Sequence, residues 1–337
     1  MRLIMMGTGP FAVPTFQQLY EARHDMALLV TRPLRSHRGK DVEPASTMRD
    51  IAHEHATPIF DPENINAVEA RQRLIDAAAD LLVVCDYGQI LAPETLAAAR
   101  LGGINLHASL LPKYRGAAPI NWALFNGDSE TGVTVIHMTP KVDAGPCIAQ
   151  AVTAIDAEET AVELEARLAE SGGWLVRRTI DAVAEDRLEA LPQDPSLASK
   201  APRLKKTDGA IDWRRPALSI KNQIRALEPW PRTYTYWHRA HGAPLRMILG
   251  PVDVIDLPES SRHTPCAARP DDHPAPGTVL EACGDRLVIA AGQGAVVPRT
   301  IQLAGKRAMG IAELLRGHKI QPGERFGPDD AAFPTPT

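Results

Sequence analysis

Residues 1–16 read "MRLIMMGTGPFAVPTF". Leu3–Met6 is a short apolar run without alternation, the pattern of a strand buried on both faces in a parallel sheet. It stops at Gly7-Thr8-Gly9-Pro10, a turn built from residues that break helix and strand. Val13–Arg23 then carries helical spacing. The same strand-then-helix unit recurs downstream. Met26–Thr31 is a second apolar strand, "DLLVVC" at 80–85 a third, and Gly103–His107 a fourth. Helices are expected near Ser46–Glu54 and Ala67–Ala78. "GVTVIHM" at 132–138 alternates like a half-exposed strand, and Ala161–Glu185 reads as a long closing helix. Strand–helix alternation to about residue 140 predicts an α/β, Rossmann-like parallel sheet with helices on both faces.

The pattern then changes. Residues 188–208, "LEALPQDPSLASKAPRLKKTD", are polar, Pro-bearing and aperiodic, and read as a linker. A helix over Pro216–Glu228 follows. After it come short alternating runs: "TYTYWH" at 233–238, "LRMILG" at 245–250, "GTVLEA" at 277–282, "RLVIAAG" at 286–292 and "AVVPRTIQLAG" at 295–305. Short strands at this spacing predict a smaller C-terminal β-barrel of OB-like type. Pro258–Pro276 interrupts them as a polar loop, and the tail after Gly327 is expected to fray. The expected division is a domain over 1–187, a linker over 188–208, a barrel over 209–327 and a tail over 328–337.

A chain of 337 residues fits two domains. With 44% apolar and 23% charged residues the composition is that of an ordinary globular protein. The net charge of −4 is unevenly spread: residues 201–337 hold 19 Lys and Arg against 14 Asp and Glu, so the first 200 residues are strongly acidic. The basic excess of the second half suits a polyanionic partner, and scattered surface charge accounts for it equally well. None of the four cysteines, Cys85, Cys147, Cys266 and Cys283, is spaced as Cys-x-x-Cys. That speaks against a zinc site or a disulfide framework and suits a reducing cytoplasm. The N-terminal apolar run is too short for a signal-peptide core, and no later one approaches ~18 residues, so no membrane attachment is expected.

Two features carry candidate chemistry. Gly7-Thr8-Gly9-Pro10-Phe11-Ala12 loosely matches the dinucleotide fingerprint in the right strand–turn–helix setting. However, Pro10 removes a backbone donor, and "LLVTRP" stands where an acidic residue should close the second strand. An NADP site using Arg32, a plain tight turn, or the lining of another ligand's pocket all stay open. The second feature is "GGINLHASLLPKYRGAAPINW" at 102–122. Asn105 and His107 are two apart on a strand, so they face one side, at the carboxyl end where open α/β sheets bind ligands. Asp143, in "TPKVDAGPC", follows another strand. A lone buried histidine is commonly a hydrogen-bonded structural group, but an Asn/His/Asp trio at strand exits can do more. No Gly-x-Ser-x-Gly is present, no cysteine sits in an evident electropositive setting, and one His with one Asp makes a thin metal site. Non-covalent acyl transfer fits better. Asn105 would donate to a developing oxyanion, His107 would carry a proton, and Asp143 would favour and orient the imidazolium.

"NLHASLLPKYRGAAPINW" closely resembles the Asn-x-His and Ser-Leu-Leu-Pro-x-x-Arg-Gly segment of the 10-formyltetrahydrofolate-dependent formyltransferases. "GTGPFAVPTF" and "VVCDYGQIL" resemble that family's first turn and folate-pocket segment. "GAIDWRRPALSIKNQIRALEPWPRTYT" and "AGKRAMGIAELLRG" look like the C-terminal domain of the family members that act on methionyl-tRNA. The likeness spans nearly the whole chain. It implies that Asn105, His107 and Asp143 are the catalytic trio. It implies that Ser109, Leu110, Leu111 and Pro112 touch the folate, with Asp86, Tyr87, Gly88, Gln89, Ile90 and Leu91 walling its pterin. It implies that Arg38 and Lys40, in a basic loop, and Lys205 and Lys206 contact tRNA. The implied enzyme is cytoplasmic and monomeric, needs no metal, and moves a formyl group from 10-formyltetrahydrofolate to methionyl-initiator tRNA for translation initiation. The chain departs from the family pattern in three places: the loop "RPLRSHRGK" lacks the usual Pro-Asp opening, "AGPC" follows Asp143 in place of Thr-Gly-Asp, and Asp86 replaces a small apolar residue. Three rival readings share parts of the pattern: a formyltransferase for amino sugar nucleotides, an NADP-binding dehydrogenase or regulator, and a non-catalytic tRNA-binding module.

Overall fold

The computed structural model describes residues 1–22, 24–34, 46–185, 187, 189–239, 242–257 and 274–328. The chain forms two compact units. The first comprises Met1–Ala123, Ser129–Ala157 and Glu163–Arg203; the second comprises Leu124–Asp128, Glu158–Val162 and Leu204–Thr337. Of the expected linker, everything up to Arg203 therefore groups with the first unit.

The chain runs through β1 (Arg2–Gly7), α1 (Val13–Glu21), β2 (Asp25–Val30), α2 (Thr47–Glu54), β3 (Ile59–Phe60), α3 (Val68–Asp76), β4 (Leu81–Cys85), α4 (Pro93–Leu96) and β5 (Gly103–His107). It continues through β6 (Arg115–Gly116), α5 (Pro119–Asn126), β7 (Glu130–His137), β8 (Cys147–Ala154), α6 (Ala161–Ala184) and β9 (Lys200–Ala201). Seven strands form one sheet in the order β3-β2-β1-β4-β5-β7-β8. The apolar runs that predicted β1 and β4 are buried along nearly their whole length, and they lie side by side in parallel at the centre. Below β1 and β4 a cluster including Ile4, Met6, Leu28, Val30, Leu82 and Val84 makes one core face.

The sheet is mixed rather than wholly parallel. β7 runs antiparallel to β5, and β8 antiparallel to β7. β7 is buried from Thr131 to Ile136, so its alternation of small polar and branched residues misrepresents its exposure. The small side chains Gly132, Thr131 and Thr134 are buried with the rest. β8, "CIAQAVTA", carries no strong apolar run because it is the edge, with only alternate residues shielded. Neither β8 nor α5 is legible in the sequence pattern.

The chain leaves β1 in one direction through β2 and β3 and returns to its other side through β4 and β5. This order reverses between β1 and β4, and such a switch point opens a crevice at the carboxyl ends of the strands. β1, β4 and β5 all deliver their last residues there, which puts the "GTGP" turn, Asp86 and His107 at one rim.

In the second unit, α7 (Ala217–Ala226) precedes β10 (Thr233–His238), β11 (Leu245–Leu249), β12 (Val252–Ile255), β13 (Val279–Cys283), β14 (Arg286–Ala290), β15 (Ala295–Pro298), β16 (Thr300–Leu303), β17 (Ala308–Gly310), α8 (Ile311–Gly317) and β18 (Arg325–Gly327). Two antiparallel sheets result, β17-β16-β11-β10-β18 and β12-β15-β14-β13. β11 runs on into β12 and β15 into β16, so one strand pair bends through both sheets. At the opposite edge Val279 N–H donates to Glu324 and Phe326 N–H to Gly277, joining β13 to β18. The sheets thereby close into a small barrel. Trp213, Ile220, Trp237, Met247, Leu287, Ile301 and Phe326 fill it. The buried indoles meet their polar need, Trp213 Nε1 donating to Thr235 and Trp237 Nε1 to Glu324, each at 2.9 Å. Residues 258–273 of the expected polar loop and 329–337 of the tail lie outside the described residues.

Candidate active site

A cavity of about 640 Å³ lies in the first unit, a size that accommodates an extended small molecule. Phe11, Val84, Leu91, Ile120 and Ile136 give it apolar walls. Asn105, His107, Asp143, Asp86, Glu165 and Asn121 supply polar groups. The trio picked out in the sequence meets here. Asn105 and His107 project from one side of β5, and Asp143 comes from the loop between β7 and β8.

His107 is buried, with 6% of its surface exposed. Its Nε2 lies 2.9 Å from the Tyr114 carbonyl, which requires a hydrogen on Nε2. Nδ1 is left to face Asp143 Oδ2 at 3.7 Å. That gap exceeds hydrogen-bond length and leaves room for adjustment when a substrate enters. Asp143 Oδ2 also accepts the Gly116 N–H at 2.9 Å, so the carboxylate is aimed by the backbone opposite. Asn105 is half-buried, and its side chain has no hydrogen-bond partner among the described residues. A donor at a cavity wall with no internal partner is available to a bound oxygen.

Two of the rim's residues, Asp86 and Asp143, hold a backbone conformation that costs a side-chain-bearing residue, and two glycines adopt the same region freely. Asp86 (φ 48°), Asp143 (φ 49°), Gly88 (φ 78°) and Gly116 (φ 129°) all line the cavity in left-handed backbone. At Gly116 a side chain would also strike the Ala201 carbonyl. Gly9 answers the open question about the first turn. The Asp86 carboxylate lies against this glycine, where a Cβ would overlap it, and the Asp86 carbonyl accepts the neighbouring Thr8 N–H at 3.1 Å. A carboxylate in that position repels a dinucleotide phosphate, so the glycines serve a tight turn that leads to Phe11 on the cavity's wall.

The other sequence candidates divide. Asp86, Tyr87, Gly88, Gln89, Ile90 and Leu91 all line the cavity. Gln89 uses its amide elsewhere, accepting from Ile65 N–H and donating to the Pro62 carbonyl, which pins the segment in place. Ser109, Leu110, Leu111 and Pro112 are not among the lining residues. Ser109 is fully buried and donates to the Lys113 carbonyl at 2.6 Å, while Thr134 donates to the Ser109 carbonyl and accepts from Leu111 N–H. These bonds shape the turn that carries Tyr114 to His107. Lys205 and Lys206 are exposed at the start of the second unit. Arg38 and Lys40 lie outside the described residues. Among the described residues no three His, Cys, Asp or Glu side chains gather as a metal site.

Sequence reasoning missed Phe11, the 139–142 loop and Glu165 on α6 as lining residues. A single acidic residue in a helical pattern carries no mark of facing a cavity 60 residues away in the chain. Burial raises the pKa of Glu165, and the Asp86 charge raises it further. Burial likewise raises that of Asp86, against the pull of Arg32 and the Gly9 N–H. A carboxyl group with a raised folded pKa contributes stability below its unfolded value, and this is lost as pH rises through the folded value. Glu165→Gln is therefore expected to melt higher than the parent at pH 8, with the gain shrinking towards pH 4. A pH-independent difference in Tm would contradict the assignment.

A family model described as formyl transferase matches residues 1–180, and one described as formyl transferase, C-terminal domain, matches residues 203–319. Fold and site thus define the class as the formyl transferases. The chain is 42% identical to the methionyl-tRNA formyltransferase of Rhodopirellula baltica over 97% of its length and 96% of that protein. It is 38% identical to the methionyl-tRNA formyltransferase of Akkermansia muciniphila, over 94% and 97%. The chain belongs to the methionyl-tRNA formyltransferase family. Among solved structures, an N-formyltransferase from Helicobacter canadensis, in complex with folinic acid and dTDP-3-aminofucose, shares its fold with a TM-score of 0.63 at 16% identity, covering 88% of this chain and 98% of that one.

Proposed function

We propose that this enzyme transfers the formyl group of 10-formyltetrahydrofolate to the α-amino group of methionyl-initiator tRNA, for translation initiation. The observation that carries the reading is the cavity at the switch point, where an Asn105 amide without a partner among the described residues stands beside His107 and Asp143 in a chain that matches a relative of this family over 96% of that protein.

The cavity fits the donor in size and lining. The backbone of Asp86–Leu91 would hold its ring, and bound there the donor supplies an activated formyl group. A free α-amino group titrates near 7.7–8.0, and the electron-withdrawing ester of an aminoacyl end lowers it further, so much of the nucleophile is already neutral at cellular pH. The barrier lies in the resonance of the formamide and in a poor nitrogen leaving group. Asn105 donates to the formyl oxygen as negative charge develops on it. His107 presents Nδ1, its Nε2 being held by Tyr114, and a proton on Nδ1 makes the ring cationic with Asp143 beside it. Asp143 orients that nitrogen and assists movement of the proton released by the amine to the leaving N10, as the bond from the formyl carbon to N10 breaks and that to the amine is kept.

For tRNA, exposed Lys205 and Lys206 supply cations, as do Arg38 and Lys40 in the basic stretch "RPLRSHRGK". We also infer a monomeric, cytoplasmic enzyme. Cys85, Cys147 and Cys283 are unbridged, which suits a reducing compartment, and no helix among the described residues is long and apolar enough to cross a membrane. The test offers 10-formyltetrahydrofolate with charged initiator tRNA and, separately, with an amino sugar nucleotide. Formyl-methionyl-tRNA should appear. Formylation of the sugar alone would reject the reading.

A further inference from the structure

The segment that leaves α6 runs back along the first unit, next to the site. Leu191 exchanges both backbone hydrogen bonds with Cys147, each at 2.8 Å. Farther on, Ser199 accepts the Arg115 N–H at its carbonyl and the Tyr114 N–H at its hydroxyl, and β9 pairs with β6. Between these two anchor points lies Gln193. Its Nε2 donates to the Asp143 carbonyl at 2.9 Å and to the Gly145 carbonyl at 2.7 Å. Its Oε1 accepts from Arg115 Nε at 3.1 Å and from the outer guanidinium nitrogen at 2.7 Å. Both donor hydrogens and both lone pairs of one amide are thereby used.

The bonds form a closed ring. Arg115 holds Gln193, Gln193 holds the carbonyl of Asp143, and the Asp143 carboxylate holds the N–H of Gly116, the residue after Arg115. Asp143 sits at φ 49°, a conformation that persists only when its surroundings over-determine it. Its own loop does little to that end: Lys141 and Val142 are exposed, and the local bonds are Thr139 Oγ1 and Ala144 N–H onto the Lys141 carbonyl, at 3.2 and 3.3 Å. A mere tether for the segment would need one backbone contact. Here a single side chain grips the carbonyls on both sides of Ala144, one of them on the residue whose carboxylate faces His107.

We propose that Gln193 is a positioning residue for formyl transfer, acting through Asp143 by holding its loop in the left-handed turn that aims the carboxylate at His107. The proposal rests on the reading of Asp143 given above. Displacing a reacting group by about 1 Å can cost ~10²-fold in rate, so Gln193→Ala should lower kcat by ~10- to 100-fold and leave KM for both substrates within about twofold. Gln193→Glu keeps a partner for Arg115 but cannot donate to the two carbonyls. It should lose as much kcat as Gln193→Ala, again with KM for both substrates within about twofold.

The deciding experiment is a double-mutant cycle with Asp143→Asn, reading kcat, KM and Tm for each protein. If Gln193 works through Asp143, adding Gln193→Ala to Asp143→Asn should cost less than about twofold more in kcat. Multiplying losses would overturn the proposal, because the amide would then act independently of Asp143. Full kcat in Gln193→Ala would overturn it too. Full kcat in Asp143→Asn alone would overturn the reading of Asp143 itself, and is recognised by which single variant retains turnover.

Discussion

His107→Ala is expected to lower kcat by ~10²- to 10⁴-fold, the range in which a positioned acid–base group contributes. Asn105→Ala should cost on the order of 10²- to 10³-fold, as expected for removing one oxyanion donor. The structure sets the controls. Truncating His107 removes one donor to the buried Tyr114 carbonyl, at about 1–3 kcal/mol, less than the ~5–15 kcal/mol that holds a domain folded. The Asn105 side chain has no hydrogen-bond partner among the described residues, so its removal should leave Tm unchanged. Folate binding measured by titration should survive in both variants, since the walls around Asp86–Leu91 are untouched. The two losses should not multiply in the double variant, because residues acting on one transition state are non-additive. Near-normal turnover in His107→Ala with an intact melt would remove the histidine from the mechanism.

The second large effect is in salt. Each Lys or Arg that meets a phosphate releases counterions, and log affinity then falls with log salt at a slope of ~0.7–0.9 per contact. If Arg38, Lys40, Lys205 and Lys206 each meet one phosphate, the slope is about −2.8 to −3.6. Raising salt from about 50 to about 200 mM should then reduce kcat/KM for methionyl-tRNA by ~50- to 150-fold. Binding of a folate analogue should change little over the same range. Lys205→Ala should make the tRNA slope shallower by about one contact. A flat salt response would remove these four residues from the tRNA interface and favour a small acceptor such as a sugar nucleotide.

Much of the architecture is legible in residue patterns because burial on both faces demands unbroken apolar runs. "LIMM" and "LLVV" give the central strands β1 and β4 with boundaries good to a residue or two. β8 and α5 escape because an edge strand needs no such run and a helix of 8 residues is too short to display a clear helical period. β7 is read at the right place but with the wrong exposure, since Gly132 and Thr134 are small enough to be buried without being apolar. The Ser109–Pro112 stretch shows a different limit. Its motif marks it as important, but the motif does not tell a residue that lines a cavity from one that holds the turn behind it.

The sequence by itself determined the strand–turn–helix opening, the two-part organisation, and the placing of Asn105 and His107 on one face at a strand's end. Each of these follows from a local period, or from a motif within about twenty residues. Tertiary structure alone decided that Gly9 is blocked by Asp86, that Glu165 faces the cavity, and that Gln193 grips the loop of Asp143. Those partners lie 50 or more residues apart. They meet because β1, β4, β5 and β7 are adjacent in one sheet, an adjacency that no local pattern encodes.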